Sequence, residues 1–308
     1  MPVEPQLEVR PRRSPLTHPV TWAVVAAVVV LVGWVVLRTM GKDSGRAFVA
    51  DEPGVSHVHG LAINPADGAL IVATHYGSFR IPQHGDAERI GNSYQDTMGF
   101  TVLGPDRFLG SGHPDVAGMQ RGEPGRLGLI ESKDAGASWS SVSLSGEADF
   151  HGLVVADQQV FGWDSGTGQL MVSADRATWE TRSTLDLLSF AVDPADLNYL
   201  IAAAPAELIA STDGGRSWDR TDGPTLVTLS WDRTAGLWGA EASGALWHLD
   251  GGTWVRAGEL PGEPQALLAT PNTLYAAAHD AGGATGIYTS TDGGRSWDLR
   301  YRDPEQER

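Results

Sequence analysis

The stretch STDGGRSW occurs twice in the chain, at residues 211–218 and at residues 290–297. A looser copy, SKDAGASW, occupies residues 132–139, and two shorter copies, SADRATW and HLDGGTW, occupy residues 173–179 and 248–254. Successive copies begin 41, 38, 37 and 42 residues apart. A period near forty residues indicates one supersecondary unit that is repeated along the chain.

Each copy has the residues of a tight turn between two strands. The aspartate, Asp213 in the first perfect copy, can accept hydrogen bonds from backbone N–H groups of the turn. The glycines that follow, Gly214 and Gly215, adopt positive φ angles without steric cost. The closing tryptophan, Trp218, is expected to fill the gap between neighbouring sheets. Short strands with evenly spaced turns predict sheets arranged radially around an axis.

The pattern Ser-x-Asp-x-Gly-x-x-Trp resembles the Asp-box, or BNR repeat, of sialidases and other β-propellers. The resemblance covers residues 55–302 and is greatest to bacterial proteins named glycosyl hydrolases or exo-sialidases. It implies an all-β fold, and counting back from the copy at residue 132 predicts a six-bladed β-propeller. A seventh blade would form if residues 46–50 paired with the last strands. Because the Asp-box is a structural turn, it does not specify a reaction.

An uncharged stretch of 18 residues, 20–37, precedes the repeats. It is long enough to cross a bilayer as a helix, and Trp22 and Trp34 lie near its ends, where indoles favour the interface. No small-x-small cleavage site follows it, so we interpret it as an uncleaved transmembrane anchor. The predicted organisation is a disordered cytoplasmic tail at 1–19, the anchor at 20–37, a linker at 38–54, the propeller at 55–302 and a tail at 303–308.

The distribution of charge indicates on which side of the membrane the propeller lies. Three basic residues precede the span and three follow it, so the basic flanks alone give no orientation. The chain has a net charge of −16, and its acidic excess falls after residue 46. Nucleic acid and an anionic leaflet are therefore poor partners. We expect a single-pass protein of the cell membrane with an extracytoplasmic propeller. The chain has no cysteine, which excludes thiolate chemistry and disulfides.

Ionisable residues begin the predicted innermost strands of the first three blades. These strands start with His57-Val-His59, Asp96-Thr-Met98 and Asp149-Phe-His151. Alternate residues of a strand share a face, so their side chains should converge at one mouth of the central channel. The second strand of each blade runs antiparallel and ends at that mouth. Those ends carry further polar residues, among them His75, His113, Asp115 and Glu241.

This convergence predicts a metal site over the first three blades. Imidazole suits Zn, Cu, Ni or Fe, and a thioether favours Cu, so we expect Cu or Zn as the cofactor. Asp96 or Asp149 would be a further ligand or would orient a histidine. Alternatively, the histidines only satisfy backbone groups and the methionine packs. The candidate ligands are His57, His59, Met98, His113 and His151, with His75 and Asp115 nearby.

Two other functions remain open. The first is a glycoside hydrolase, the activity that the resemblance implies, with carboxylates acting as acid and base or nucleophile. Residues 79–82 read Phe-Arg-Ile-Pro, as in a sialidase motif, but they fall on a predicted third strand. The second is a non-catalytic module that binds an envelope protein or a glycan through the insertion at residues 114–128. The candidate catalytic residues are Asp96, Asp149, Glu241 and Glu263.

Overall fold

The computed structural model describes residues 54–83 and 86–303. These residues form six four-stranded antiparallel sheets and one short helix, and in each sheet the strands pair in chain order. Within this part of the chain, no helix is both long enough and apolar enough to cross a membrane. Several predictions concern residues outside it: the tail at 1–19, the anchor at 20–37, most of the linker, the seventh-blade strand at 46–50 and residues 304–308.

The first three blades contain twelve strands and the helix. Blade one comprises β1 (Val58–Ile63), β2 (Leu70–Thr74), β3 (Gly77–Ile81) and β4 (Glu88–Arg89). Blade two comprises β5 (Asp96–Gly104), β6 (Arg107–His113), β7 (Leu129–Ser132) and β8 (Ser140–Ser143), with helix α1 (Val116–Gln120) between its second and third strands. Blade three comprises β9 (Phe150–Ala156), β10 (Gln159–Asp164), β11 (Gln169–Ser173) and β12 (Glu180–Thr184).

The last three blades repeat this plan without a helix among their described residues. Blade four comprises β13 (Ser189–Val192), β14 (Leu200–Ala204), β15 (Glu207–Ser211) and β16 (Asp219–Thr221). Blade five comprises β17 (Leu226–Asp232), β18 (Gly236–Glu241), β19 (Ala245–Asp250) and β20 (Thr253–Glu259). Blade six comprises β21 (Glu263–Ala269), β22 (Leu274–His279), β23 (Thr285–Ser290) and β24 (Asp298–Arg302).

The blades close into a ring through their first strands. Each first strand contacts the first strand of the next blade, and β21 of the last blade contacts β1 of the first. At this closure, Val58 and Leu61 of β1 share an apolar cluster with Ala266 of β21. The backbone N–H of Val58 also donates to Gln265 Oε1 at 3.2 Å. The prediction of an all-β, six-bladed propeller is therefore confirmed.

The repeated motif forms the turn between the third and fourth strands. In the copy at residues 211–218, the Ser211 hydroxyl accepts a hydrogen bond from the N–H of Gly215 at 2.8 Å. The Asp213 carboxylate accepts from the backbone and the hydroxyl of Ser217 at 2.9 and 2.6 Å. The copies at residues 132 and 290 make the same bonds. The turn geometry expected from the sequence is present in these copies.

The copy at residues 248–254 is a different kind of turn. His248 lies inside β19, its ring stacks on Trp238 with centroids 4.4 Å apart, and its Nε2 contacts the Ala235 carbonyl oxygen at 3.2 Å. The strand continues to Asp250, and Gly251 and Gly252 alone, both at positive φ, make the connection to β20. This copy has a histidine in place of the serine, so no hydroxyl accepts the hydrogen bond from the glycine N–H. The prediction that residues 248–254 form a degenerate copy of the same turn was therefore wrong.

The closing tryptophans fill the gaps between successive blades. Trp139, Trp179, Trp218, Trp254 and Trp297 each pack into a different apolar cluster together with residues of the preceding blade. The indole Nε1 of Trp179 donates to Ser143 Oγ, and that of Trp218 donates to Ser183 Oγ, both at 3.0 Å. Among the described residues, the cluster between blades six and one contains no tryptophan, and Ala87 and Tyr301 pack there instead.

The turn aspartates make the stability of the ring depend on pH. Hydrogen bonds from the Ser217 hydroxyl and backbone hold the pKa of Asp213 well below its usual value of 3.8. Hydrogen bonds from Ser296 lower the pKa of Asp292 in the same way. A carboxyl whose pKa is lower in the folded state stabilises the fold above its ordinary pKa. That stabilisation is lost as the pH falls through the lowered pKa.

We predict that the double variant Asp213→Asn/Asp292→Asn shows a weaker pH dependence of stability than the parent. An asparagine side chain still accepts hydrogen bonds but does not titrate. The measurement is the free energy of unfolding in urea at pH 6 and at pH 3. The matched control, Asp219→Asn/Asp298→Asn, changes two exposed carboxylates immediately after the same turns and should keep the parent's pH difference. An identical difference in the test variant and the parent would contradict the prediction.

Candidate metal centre

A β-bulge recurs at the mouth end of the innermost strands. In five of the six blades the pairing between the first and second strands skips one residue at the same position. In the strand pair β13–β14 of the remaining blade, the register is continuous. A bulge leaves a residue outside the ladder and redirects its side chain, and bulges are frequent beside functional sites. The skipped residues are His59, Met98, His151, Val227 and Gln265.

Three side chains from blades two and three form a group that we call trio B: His113, Asp149 and His151. His113 ends β6, Asp149 immediately precedes β9, and His151 is the bulge residue of β9. The Asp149 Oδ2 atom lies 3.4 Å from His113 Nε2 and 3.1 Å from His151 Nε2. The Ser165 hydroxyl donates to the same oxygen at 3.2 Å. Both imidazoles therefore direct a ring nitrogen at one carboxylate oxygen.

The orientation of His113 is fixed from the insertion between β6 and β7. Its Nδ1 lies 2.7 Å from the carbonyl oxygen of Gly125, and because a carbonyl only accepts, Nδ1 carries a proton. In the neutral ring, Nε2 then has a lone pair that faces Asp149. Two lone pairs that face each other repel, unless the ring is protonated or a cation lies between them. An outer carbonyl that orients a histidine in this way is typical of metal ligands.

Asp149 is ionised in these surroundings. Burial opposes its ionisation, but the hydrogen bond with His151, the electrostatic interactions with His151 and His113 and the hydrogen bond from Ser165 outweigh it, so the pKa of this carboxyl lies below its usual value. Its side chain is only 9% exposed. Its Oδ1 atom is buried and has no hydrogen-bond partner among the described residues. A buried anionic oxygen without a donor is costly, and it is a free position for a cation.

A second group, which we call trio A, joins blades one and two: His59, His75 and Asp96. Asp96 begins β5, His59 is the bulge residue of β1, and His75 directly follows β2. Asp96 Oδ1 lies 3.2 Å from His59 Nε2, and Asp96 Oδ2 lies 2.8 Å from His75 Nδ1. His59 Nε2 and Asp96 Oδ1 are both buried, and neither makes a well-directed hydrogen bond to any described residue.

Two more histidines lie beside trio A. The His57 ring is 5.7 Å from that of His279 and 6.3–6.5 Å from those of His59 and His75. Burial, followed by the nearby histidines, lowers the pKa of His57 below its usual value. His57 also has a φ of 48°, which is unusual for a residue with a side chain. His279 is hydrogen-bonded to the amide nitrogen of Gln265. The expected convergence of histidines at one end of the ring is thus present.

The other candidate residues have different surroundings. Asp115 caps helix α1, since its carboxylate accepts from the backbone N–H groups of Gly118 and Tyr94 at 2.7 and 3.0 Å. Glu241 accepts from the indole of Trp247 at 2.9 Å. Glu263 is exposed at the start of β21. Neither glutamate belongs to a trio. Glu241 lies in blade five, and Glu263 lies in blade six, where it is the cross-strand partner of His279.

Two residues that the sequence analysis singled out, Arg80 and Met98, belong to neither trio. Arg80 of the Phe-Arg-Ile-Pro stretch is on the third strand β3, as predicted, and pairs with Asp67 at 2.7 Å. Met98 occupies the bulge position of blade two, the blade that contributes to both trios. Sequence reasoning treated His75 only as a neighbour of the site and missed the Gly125 carbonyl. Every residue has a backbone carbonyl, so the identity of residue 125 does not indicate that its carbonyl would bind His113, twelve residues earlier.

Comparison with known proteins supports the fold. No model of a protein family matches the chain. The dispase autolysis-inducing protein of Streptomyces mobaraensis is 27% identical over 199 residues, which cover 64% of this chain and 47% of that protein. The chain therefore spans about half the length of the curated relative that it matches.

Two solved structures are similar at low sequence identity. A gluconolactonase from Xanthomonas campestris has a TM-score of 0.57 and 15% identity, covering 72% of this chain and 83% of that one. Virginiamycin B lyase from Staphylococcus aureus has a TM-score of 0.52 and 12% identity, covering 82% and 85% of the two chains. These likenesses show a β-propeller. They do not transfer an activity, and the relation to the Asp-box family stays a prediction from the repeated motif.

Proposed function

We propose that the propeller binds a divalent transition-metal ion at trio B. The observation that carries the proposal is the arrangement of His113. Its Nδ1 is committed to the Gly125 carbonyl, so its free nitrogen points at a buried carboxylate that already receives His151. A cation between these three side chains would be coordinated by a nitrogen of each imidazole and by an oxygen of Asp149.

The separations within trio B match those of ligands to one ion. Nitrogen and oxygen ligands lie about 2.0–2.2 Å from a tetrahedral zinc ion, which places two ligands about 3.3 Å apart. The two nitrogen–oxygen distances to Asp149 are 3.1 and 3.4 Å. Three protein ligands leave one tetrahedral position for water or a bound molecule, as in catalytic zinc sites.

The donor atoms favour zinc or oxidised copper. Trio B offers two imidazole nitrogens and one carboxylate oxygen, which suit Zn²⁺ and Cu²⁺. Met98, at the bulge position of blade two, would offer a thioether, which favours copper over zinc. With residues 20–37 as a membrane anchor, this mouth would be presented on the extracytoplasmic side, where it would meet envelope proteins or glycans.

The prediction for trio B is zinc binding that depends on both histidines. The full-length chain, purified in detergent and stripped with a chelator, is titrated with Zn²⁺ against a chromophoric competitor. Changes to residues that only orient a ligand weaken metal binding about 10–100-fold, so His113→Gln/His151→Gln should weaken binding at trio B by more than this. The matched control, His248→Gln, removes an imidazole near the opposite turns and should bind as the parent does. Equal zinc binding by the double variant and the parent, or none by the parent, would refute the proposal.

A protein-binding module is a second candidate. Helix α1 leads away from His113 and exposes Val116 and Met119, which are 66% and 56% accessible. Exposed apolar side chains beside a polar cluster are common at protein-binding surfaces. The relative in Streptomyces mobaraensis is named for inducing autolysis of dispase, so a protease is the partner to test first.

The prediction for this candidate is that the full-length chain accelerates loss of intact dispase. Dispase is incubated with and without the chain, and intact enzyme is followed by gel densitometry. Val116→Ser/Met119→Ser should reduce the effect. The control variant Val255→Ser/Leu299→Ser changes two exposed apolar residues of the outer strands and should not. If the parent does not accelerate the loss of intact dispase, dispase is not the partner. If the two variants accelerate this loss equally, helix α1 is not the binding surface.

A further inference from the structure

We propose that trio A is a second metal site, so that the mouth holds two ions, one at each of two neighbouring blade interfaces. This inference rests on the proposed function of trio B, since the two sites use the same chemistry. It goes beyond that function by assigning Asp96, His59 and His75 as the ligands of a separate ion.

The first argument is the geometry of the ligand atoms. His59 Nε2 and Asp96 Oδ1 are 3.2 Å apart, which is close to the separation of about 3.3 Å between two ligands of one tetrahedral ion. The two atoms are not joined by a well-directed hydrogen bond, and both are buried. An ion between them would satisfy both at once. His75, which contacts the other oxygen of the same carboxylate at 2.8 Å, is the third ligand.

The second argument is the graded exposure of the three side chains. His59 and Asp96 are 19% and 14% exposed, whereas His75 is 47% exposed. Two ligands are thus held by the packed ends of β1 and β5, and the third lies on the solvent side. An ion would enter past His75, and a coordination position would stay open toward the channel mouth.

The third argument is that the two trios use equivalent positions of successive blades. Asp96 and Asp149 both lie two residues before the bulge position of their blade. His75 directly follows the second strand of blade one, and His113 is the last residue of the second strand of blade two. Asp96 is the direct cross-strand partner of His113 in the β5–β6 pair. Each site therefore bridges one blade interface, and the two sites are adjacent.

The bulge-position histidine of each trio explains why there are two sites. Trio A takes His59 from the blade before its aspartate, and trio B takes His151 from the same blade as its aspartate. The bulge position of the blade between them is Met98. The middle blade thus supplies no imidazole at its bulge position, and each trio takes its bulge histidine from the blade on the other side of its interface. The bulge residues of blades five and six, Val227 and Gln265, have no imidazole.

The test is the zinc stoichiometry of the full-length chain and of two matched double variants. Metal content per chain is measured by mass spectrometry after equilibration with Zn²⁺ and gel filtration. We expect two ions in the parent, one in His59→Gln/His75→Gln, one in His113→Gln/His151→Gln and none when the four changes are combined. Thermal unfolding of each variant establishes that it is folded. If a variant fails to fold, fewer than two ions in the folded parent still overturns the second site.

The contrary outcomes separate the two proposals. One ion in the parent that persists in His59→Gln/His75→Gln overturns the second site and leaves trio B intact. One ion that is lost in both double variants shows a single shared centre and also overturns the second site. No ion in the folded parent overturns the proposed function as well.

Discussion

Apolar contact between every pair of neighbouring blades is the constraint on which this molecule depends. The described residues contain six apolar clusters, and each joins side chains from two successive blades. A single four-stranded sheet has two faces to cover, and only a closed ring covers both faces of all six sheets. The last interface joins blade six to blade one by apolar packing and by hydrogen bonds, from the Val58 N–H to the Gln265 side chain and from the Arg300 side chain to the Ile81 carbonyl oxygen.

The ring also determines where chemistry is gathered. Each inner strand begins at the same end of the channel, so residues about forty positions apart in sequence become neighbours. In five of the six blades a bulge then turns one side chain out of the hydrogen-bonded ladder, and in blades one and three that side chain is a histidine. Paired with the aspartate at the start of an inner strand, these histidines produce two compact His-His-Asp groups across two adjacent interfaces. The packing of the blades therefore brings these ionisable side chains together at the mouth.

The fold was predictable because its information is local and repeated. In the copies at residues 132, 211 and 290, a serine, an aspartate, a glycine and a tryptophan at fixed offsets encode the turn, and the tryptophan also encodes the contact with the preceding blade. The copy at residues 248–254, which has no serine hydroxyl to accept from the glycine N–H, forms a two-residue turn of a different kind. The aligned strand starts also indicated which histidines and aspartates would gather at one end.

The grouping of those side chains was not predictable from sequence. Whether Asp96 faces His59 or Met98 depends on the bulge and on the rotation between blades, and neither is encoded at a single position. The Gly125 carbonyl that orients His113 is a backbone atom in an insertion, so residue type carries no information about it. The alternation of side chains along a strand, used to align the candidates, also changes at a bulge.

The most direct measurement of the central claim is anomalous diffraction from crystals of the protein equilibrated with zinc, with data collected on both sides of the zinc absorption edge. The account predicts an anomalous peak about 2.0–2.2 Å from His113 Nε2, His151 Nε2 and an oxygen of Asp149. A well-ordered mouth without such a peak, or zinc bound only at other places on the ring, would contradict it.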